Sequence, residues 1–185
     1  MPFELIRNPG SSLARARKSK SMGKSVNILL TSSFLLSVAL VFAVFRLSAP
    51  SVTPLMIISL GAVSFFMTIL MAMVFGWTTQ IIAVTVGGRG RYYEGFTAVV
   101  YSIFVPSLGL LVASLMTAAP GTWPISMSIL FPSFALGVAT FYRGVKELFR
   151  LDTPSSMATV AATVISFLLT AYALITLNLL GAGVV

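Results

Sequence analysis

The side chains able to carry chemistry are few and gathered into short stretches. The chain has no cysteine and no histidine, which excludes zinc sites, thiol nucleophiles, iron–sulfur clusters and imidazole acid–base catalysis. Eleven of its twelve basic residues fall in three stretches: Arg7–Lys24, the Arg89/Arg91 pair and Arg143–Arg150. Only Arg46 lies elsewhere. The carboxylates number four, Glu4, Glu94, Glu147 and Asp152. What such loops can do is grip anions, because a guanidinium meets a lipid phosphate or a partner carboxylate through paired N–H donors. The candidate surface is therefore Gly87, Gly88, Arg89, Gly90, Arg91, Tyr92, Tyr93 and Glu94, with Lys146, Glu147 and Arg150. Hydroxyls and amides without an activating base do not make an enzyme, and neither a metal nor a cofactor is implied.

The elements that must position these loops are membrane spans. Of 185 residues, 57% are hydrophobic and only 9% charged, against roughly 25% charged in globular proteins. Mean hydropathy is +1.00. A net charge of +8 lying beside apolar spans implies anionic lipid as its partner rather than nucleic acid. About 20 apolar residues cross the hydrocarbon core, and five blocks are long enough: 26–45, 54–76 with an extension to 86, 96–117, 125–141 and 157–180. The expected fold is thus an all-α bundle of five transmembrane helices (26–185) behind a basic leader (1–25). Because Lys and Arg accumulate on the cytoplasmic side, the N-terminus, the 87–95 loop and the 142–155 loop are assigned to the cytoplasm. The C-terminus then lies outside. All four acids fall on the basic side as well.

Local signals refine this picture. Trp77 suits the interfacial belt, so 77–86 reads as an interfacial turn or as the end of one tilted helix. Thr153-Pro154 offers an N-cap and a first-turn proline for the fifth span, with Asp152 beside the positive end of its dipole. The Gly87-Gly88-Arg89-Gly90-Arg91 run lacks the Lys-Ser/Thr ending of a phosphate-binding loop, and reads as a tight reversal at the membrane surface. Tyr92 and Tyr93 would anchor that interface. Pro106 and Pro132 invite kinks in the third and fourth spans; with Tyr101 and Ser102 they mark a site that is either a cavity or static packing. No ionisable group lies at mid-membrane depth, which disfavours proton-coupled transport. Gly109/Ala113, Ala135/Ala139 and Ala158/Ala162 are small-residue pairs suited to helix contact. Met67 and Met71 share a face that suits packing. The first block reads as a span rather than a cleavable signal, since Leu47-Ser48-Ala49 is no cleavage pattern. In the leader, Arg15, Arg17, Lys18, Lys20 and Lys24 form a cluster that faces lipid, each cation contributing about 1 kcal/mol at an anionic surface.

Taken in order, these segments resemble a known family. Gly87-Gly88-Arg89-Gly90-Arg91-Tyr92-Tyr93-Glu94-Gly95-Phe96, with Val99-Val100-Tyr101-Ser102 and Pro106, is similar to the glycine-rich loop and following helix of Yip-domain membrane proteins. Gly144-Val145-Lys146-Glu147-Leu148-Phe149, followed by Thr153 and Ala158, resembles that family's loop between helices four and five, and Asn8-Pro9 its lead into helix one. Here three residues separate Ser102 from Pro106 where the family pattern has two. The resemblance implies five spans. Its eukaryotic members bind Rab-type GTPases and act in vesicle traffic, but their Asp-Leu-Tyr-Gly-Pro motif is absent, which makes GTPase binding doubtful. The prokaryotic branch is the nearer likeness.

The expected function is that of a non-enzymatic scaffold or interaction module in the cell membrane, meeting anionic lipid, further copies of itself or other membrane proteins at a basic cytoplasmic surface. Two other readings stand beside it: a small carrier or channel between the third and fourth helices, and an accessory subunit of a larger membrane complex.

Overall fold

The computed structural model describes residues 22–47, 53–116 and 123–181, and among them it is all helix and loop. Five helices follow in order: α1 Met22–Leu47, α2 Pro54–Thr85, α3 Tyr92–Met116, α4 Trp123–Phe149 and α5 Thr153–Gly181. Each is long and apolar enough to cross a membrane, and the protein is an integral membrane protein. Arg15, Arg17, Lys18 and Lys20 lie outside the described residues.

Helix ends follow from local chemistry. Thr53 caps α2, its Oγ1 accepting the Met56 N–H at 3.4 Å, with Pro54 in the first turn. For α5 the cap is Asp152 rather than Thr153: its carboxylate accepts the Ser155 N–H at 3.3 Å and its carbonyl the Ser156 N–H at 3.0 Å. A short carboxylate reaches the N3 amide and also meets the positive end of the dipole, so it outcompetes the neighbouring hydroxyl. Residues 77–85 form no separate turn. They continue α2, whose 32 residues run about 48 Å, well beyond the roughly 30 Å hydrocarbon core.

α3 is the centre of the bundle. Of its most apolar window 44% is buried, against 6% for α2, and it packs on α1, α2 and most extensively on α4. α5 closes against α2 and α4, with the Phe75 and Phe167 rings 4.9 Å apart. Lipid is as apolar as leucine, so helices in it associate through close backbone approach and small residues rather than through hydrophobic expulsion. The interfaces follow that rule. Ser25, Ser32, Ser33, Thr79, Thr97, Ser107 and Thr159 are all buried, while Leu55, Ile58, Phe66, Phe131, Leu169 and Tyr172 point outward. Ser25 and Thr97 share a hydrogen bond of 3.1 Å between α1 and α3.

Glycines set the two tightest crossings. A Cβ on Gly76 would lie 2.8 Å from the Phe96 Cα, and one on Gly95 would overlap the Gly76 carbonyl oxygen. Between α3 and α4, a Cβ on Gly109 would overlap the Ser133 side chain. A Cβ on Gly137 would press on the Pro106 ring and lie 2.9 Å from the Ser102 carbonyl oxygen. That carbonyl is the one deprived of its helical donor by Pro106.

Candidate interaction surface

The loops after α2 and α4 are each built on a helix C-terminus. At the end of α2, Gly87 takes φ +94°, and the Gly88 and Gly87 amides donate to the Ala83 and Val84 carbonyls at 2.8 and 3.0 Å. These are the paired bonds of a Schellman cap, in which a left-handed residue lets the chain double back over the last turn. α4 ends the same way. Arg150 takes φ 55° and the Leu151 amide donates to the Lys146 carbonyl at 3.2 Å.

The two caps interlock. The Arg89 amide donates to the Phe149 carbonyl at 2.9 Å, satisfying one of the acceptors that a helix C-terminus leaves without partner. Gly90 lies so close to the fully buried Phe149 ring that any Cβ would overlap it, and a Cβ on Gly88 would come within 3.3 Å of Leu151. Glycine is therefore required at 87 for its conformation, at 88 for the close return of the chain over the Ala83 carbonyl at the end of α2, and at 90 for the approach of Phe149.

Charge follows the helix ends. Arg89, Arg91, Lys146 and Arg150 gather where α2 and α4 present their negative ends, and Glu94 and Asp152 stand at the positive ends of α3 and α5. The Glu94 carboxylate accepts the Arg91 amide at 2.8 Å, the back-reaching half of a capping box. Lys146 donates to Thr153 Oγ1 at 3.0 Å and stands 6.0 Å from the Tyr142 ring centroid, at the margin of a cation–π contact. The guanidinium-bearing residues Arg89, Arg91, Arg143 and Arg150 are exposed, Glu147 is half-buried, and Lys24, in the first turn of α1, is exposed. The Ser25–Thr97 bond sets that turn of α1 beside the start of α3, so Lys24 belongs to the same end of the bundle. Tyr92 donates to the Met73 carbonyl at 3.3 Å and stacks on Phe96 at 5.9 Å. The Tyr93 hydroxyl is buried and has no hydrogen-bond partner.

The residues singled out in α3 and α4 divide. Ser102 and Pro106 line a cavity of about 510 Å³. Tyr101 is instead part of the core, and Pro132 is exposed on α4. Met67 and Met71 line the cavity. Gly109 and Ala113 are buried, whereas Ala135 and Ala139 are exposed. The sequence reading missed Gly76 and named Phe149 only as the end of a family-like run, without its packing role. Gly76 carried a signal in standing one helical turn before Gln80, among large apolar residues that would otherwise hold α3 away. Among the described residues no group of three or more acids could hold a metal ion.

A family model described as the Yip1 domain matches residues 3–176, which takes in α1 to α4 and most of α5. No curated protein and no solved structure matches the chain.

Proposed function

The chain belongs to the Yip1 domain family, and from that premise we propose that it works without catalysis, as a membrane scaffold whose basic loop surface engages anionic lipid headgroups or an acidic partner in the cytoplasmic membrane. The observation that carries this reading is the Arg89 amide bond to the Phe149 carbonyl, which joins two loops distant in sequence into one cationic patch. Arg89, Arg91 and Arg150 are exposed there, with Lys146 at the edge. Exposed guanidinium groups on a braced backbone suit bidentate capture of phosphate or carboxylate. Positive-inside bias supports a cytoplasmic setting for this patch.

The test is the double variant Arg89→Gln, Arg91→Gln in the full chain, purified in mild detergent. Retained anionic phospholipid and co-purifying membrane proteins should fall several-fold while the thermal midpoint stays unchanged. Equal retention of both would refute the assignment.

A solute path between α3 and α4 has less support. The Pro106 ring is seated against Gly137, and the Ser102 hydroxyl is already donated to the Val99 carbonyl at 2.7 Å.

A further inference from the structure

The cavity at mid-depth in the bundle has a shape and a chemistry of its own. Its floor is α3, from Val99 to Leu110, a rise of about 16 Å. Every α3 residue on that floor is buried or half-buried, while Met67 of α2, Phe134 and Val138 of α4 and Phe167 of α5 are 44–52% exposed at its edge. The cavity therefore opens sideways, into the surroundings of the helices. For a chain that spans a membrane those surroundings are hydrocarbon.

The lining refuses polar solutes. Five hydroxyls reach it, and each is committed to a carbonyl of its own helix: Ser64 to Gly61, Thr68 to Ser64, Ser102 to Val99, Ser107 to Phe104 and Thr163 to Thr159, at 2.7–3.0 Å. None of these five has a hydroxyl proton left for a guest, and among the described residues the lining holds no charged side chain. The length of about 16 Å is half the roughly 30 Å hydrocarbon thickness, which is the reach of one leaflet.

We propose that this cavity is a lipid site that takes one acyl chain of a bilayer phospholipid, entering sideways past Phe134, Val138 and Phe167 to lie on α3. The site is separate from the basic loop surface and does not depend on it. Its recognition is by an apolar lining and by the absence of free hydroxyl donors, so it discriminates chain from headgroup rather than one headgroup from another.

The experiment uses the full chain reconstituted in phosphatidylcholine vesicles doped with phosphatidylcholine carrying a photoactivatable diazirine near the end of one acyl chain. Cross-linked residues are mapped by peptide mass spectrometry. Adducts should concentrate on Met67, Ile103, Val138 and Phe167, and Val138→Trp, which narrows the mouth, should lower them at least fivefold. Leu70→Trp, on an exposed position outside the lining, should leave them unchanged. The wild-type map is decisive without either variant. Adducts spread evenly over Leu55, Phe66, Leu70 and Leu169 would mean ordinary surrounding lipid and would overturn the proposal. So would protection of the cavity residues by a second copy of the chain, read as protein–protein cross-links in place of lipid adducts.

Discussion

The carbonyl oxygen of Gly76 on α2 occupies the place that a Cβ on Gly95 of α3 would need. The two helices therefore touch backbone to backbone: Gly95 is required by the Gly76 carbonyl, and Gly76 by the Phe96 backbone, whose Cα would lie 2.8 Å from a Cβ there. In lipid, where helix association rests on such contacts, this crossing fixes how close the long α2 can come to the centre of the bundle.

Gly95→Val should lower the thermal midpoint in detergent by the equivalent of about 1–3 kcal/mol, the usual cost of forcing volume into a closed contact. Gly61→Ala is the matched control, because its Cβ would meet only the Val41 side chain, at 3.5 Å. There the better helix propensity of alanine should prevail, with a gain of up to about 1 kcal/mol. A midpoint that falls equally in both variants would remove the distinction.

Arg150 has the left-handed conformation that a helix C-cap ordinarily gives to glycine. Arg150→Gly should raise stability by about 0.5–1 kcal/mol by relieving the strain of a side chain at positive φ, and Arg150→Val should lower it. Read by thermal unfolding, the same glycine variant should weaken anionic-lipid retention, so that stability and binding move in opposite directions.

Phe149 is fully buried and its carbonyl holds the Arg89 amide. Phe149→Ala should cost about 3–5 kcal/mol and speed hydrogen exchange at Arg89 in native-state measurements. The capping amide of Arg91, held by Glu94, should be much less affected. Exchange that rises equally at both amides would indicate general loosening instead.

The Ser25–Thr97 pair lends itself to a double-mutant cycle. Interhelical hydrogen bonds in membranes couple by about 0.6 kcal/mol on average; Ser25→Ala and Thr97→Ala should show a coupling of about that size. A cycle that closes to zero would mean that each hydroxyl finds an equivalent acceptor within its own helix.

Much of this architecture is legible from residue type alone. Twenty apolar residues in a row have one stable state in lipid, because every backbone polar group must be satisfied within the segment, and cations such as Arg89 and Lys146 mark the segment ends. The interlocked caps are harder to read. Gly87 signals a reversal, but nothing in the sequence says that Gly90 meets Phe149, since that contact joins residues 59 positions apart and depends on how α2 and α4 cross α3. The end of α2 is ambiguous for a related reason: Trp77, Thr78 and Gln80 look like an interface, yet Thr79 between them is buried, its hydroxyl satisfied within the helix by the Phe75 carbonyl at 2.6 Å. The cavity is illegible for the opposite reason. It depends on where α2, α4 and α5 part, and divergence leaves no signature in periodicity.

The bond between Arg89 and Phe149 also changes what a visitor to this surface must give up. Two separate loops would each lose conformational freedom on binding, at about 1–2 kcal/mol for every backbone residue fixed. Here that loss is taken during folding, when Gly87 and Gly88 are bonded back to the last turn of α2 and Gly90 is seated against Phe149 of α4. A weak ionic contact then has little ordering to oppose it. The same bond makes the ends of α2 and α4 mechanically continuous, so that a pull on the glycine loop is felt at the last turn of α4, where Phe149 is anchored in the core.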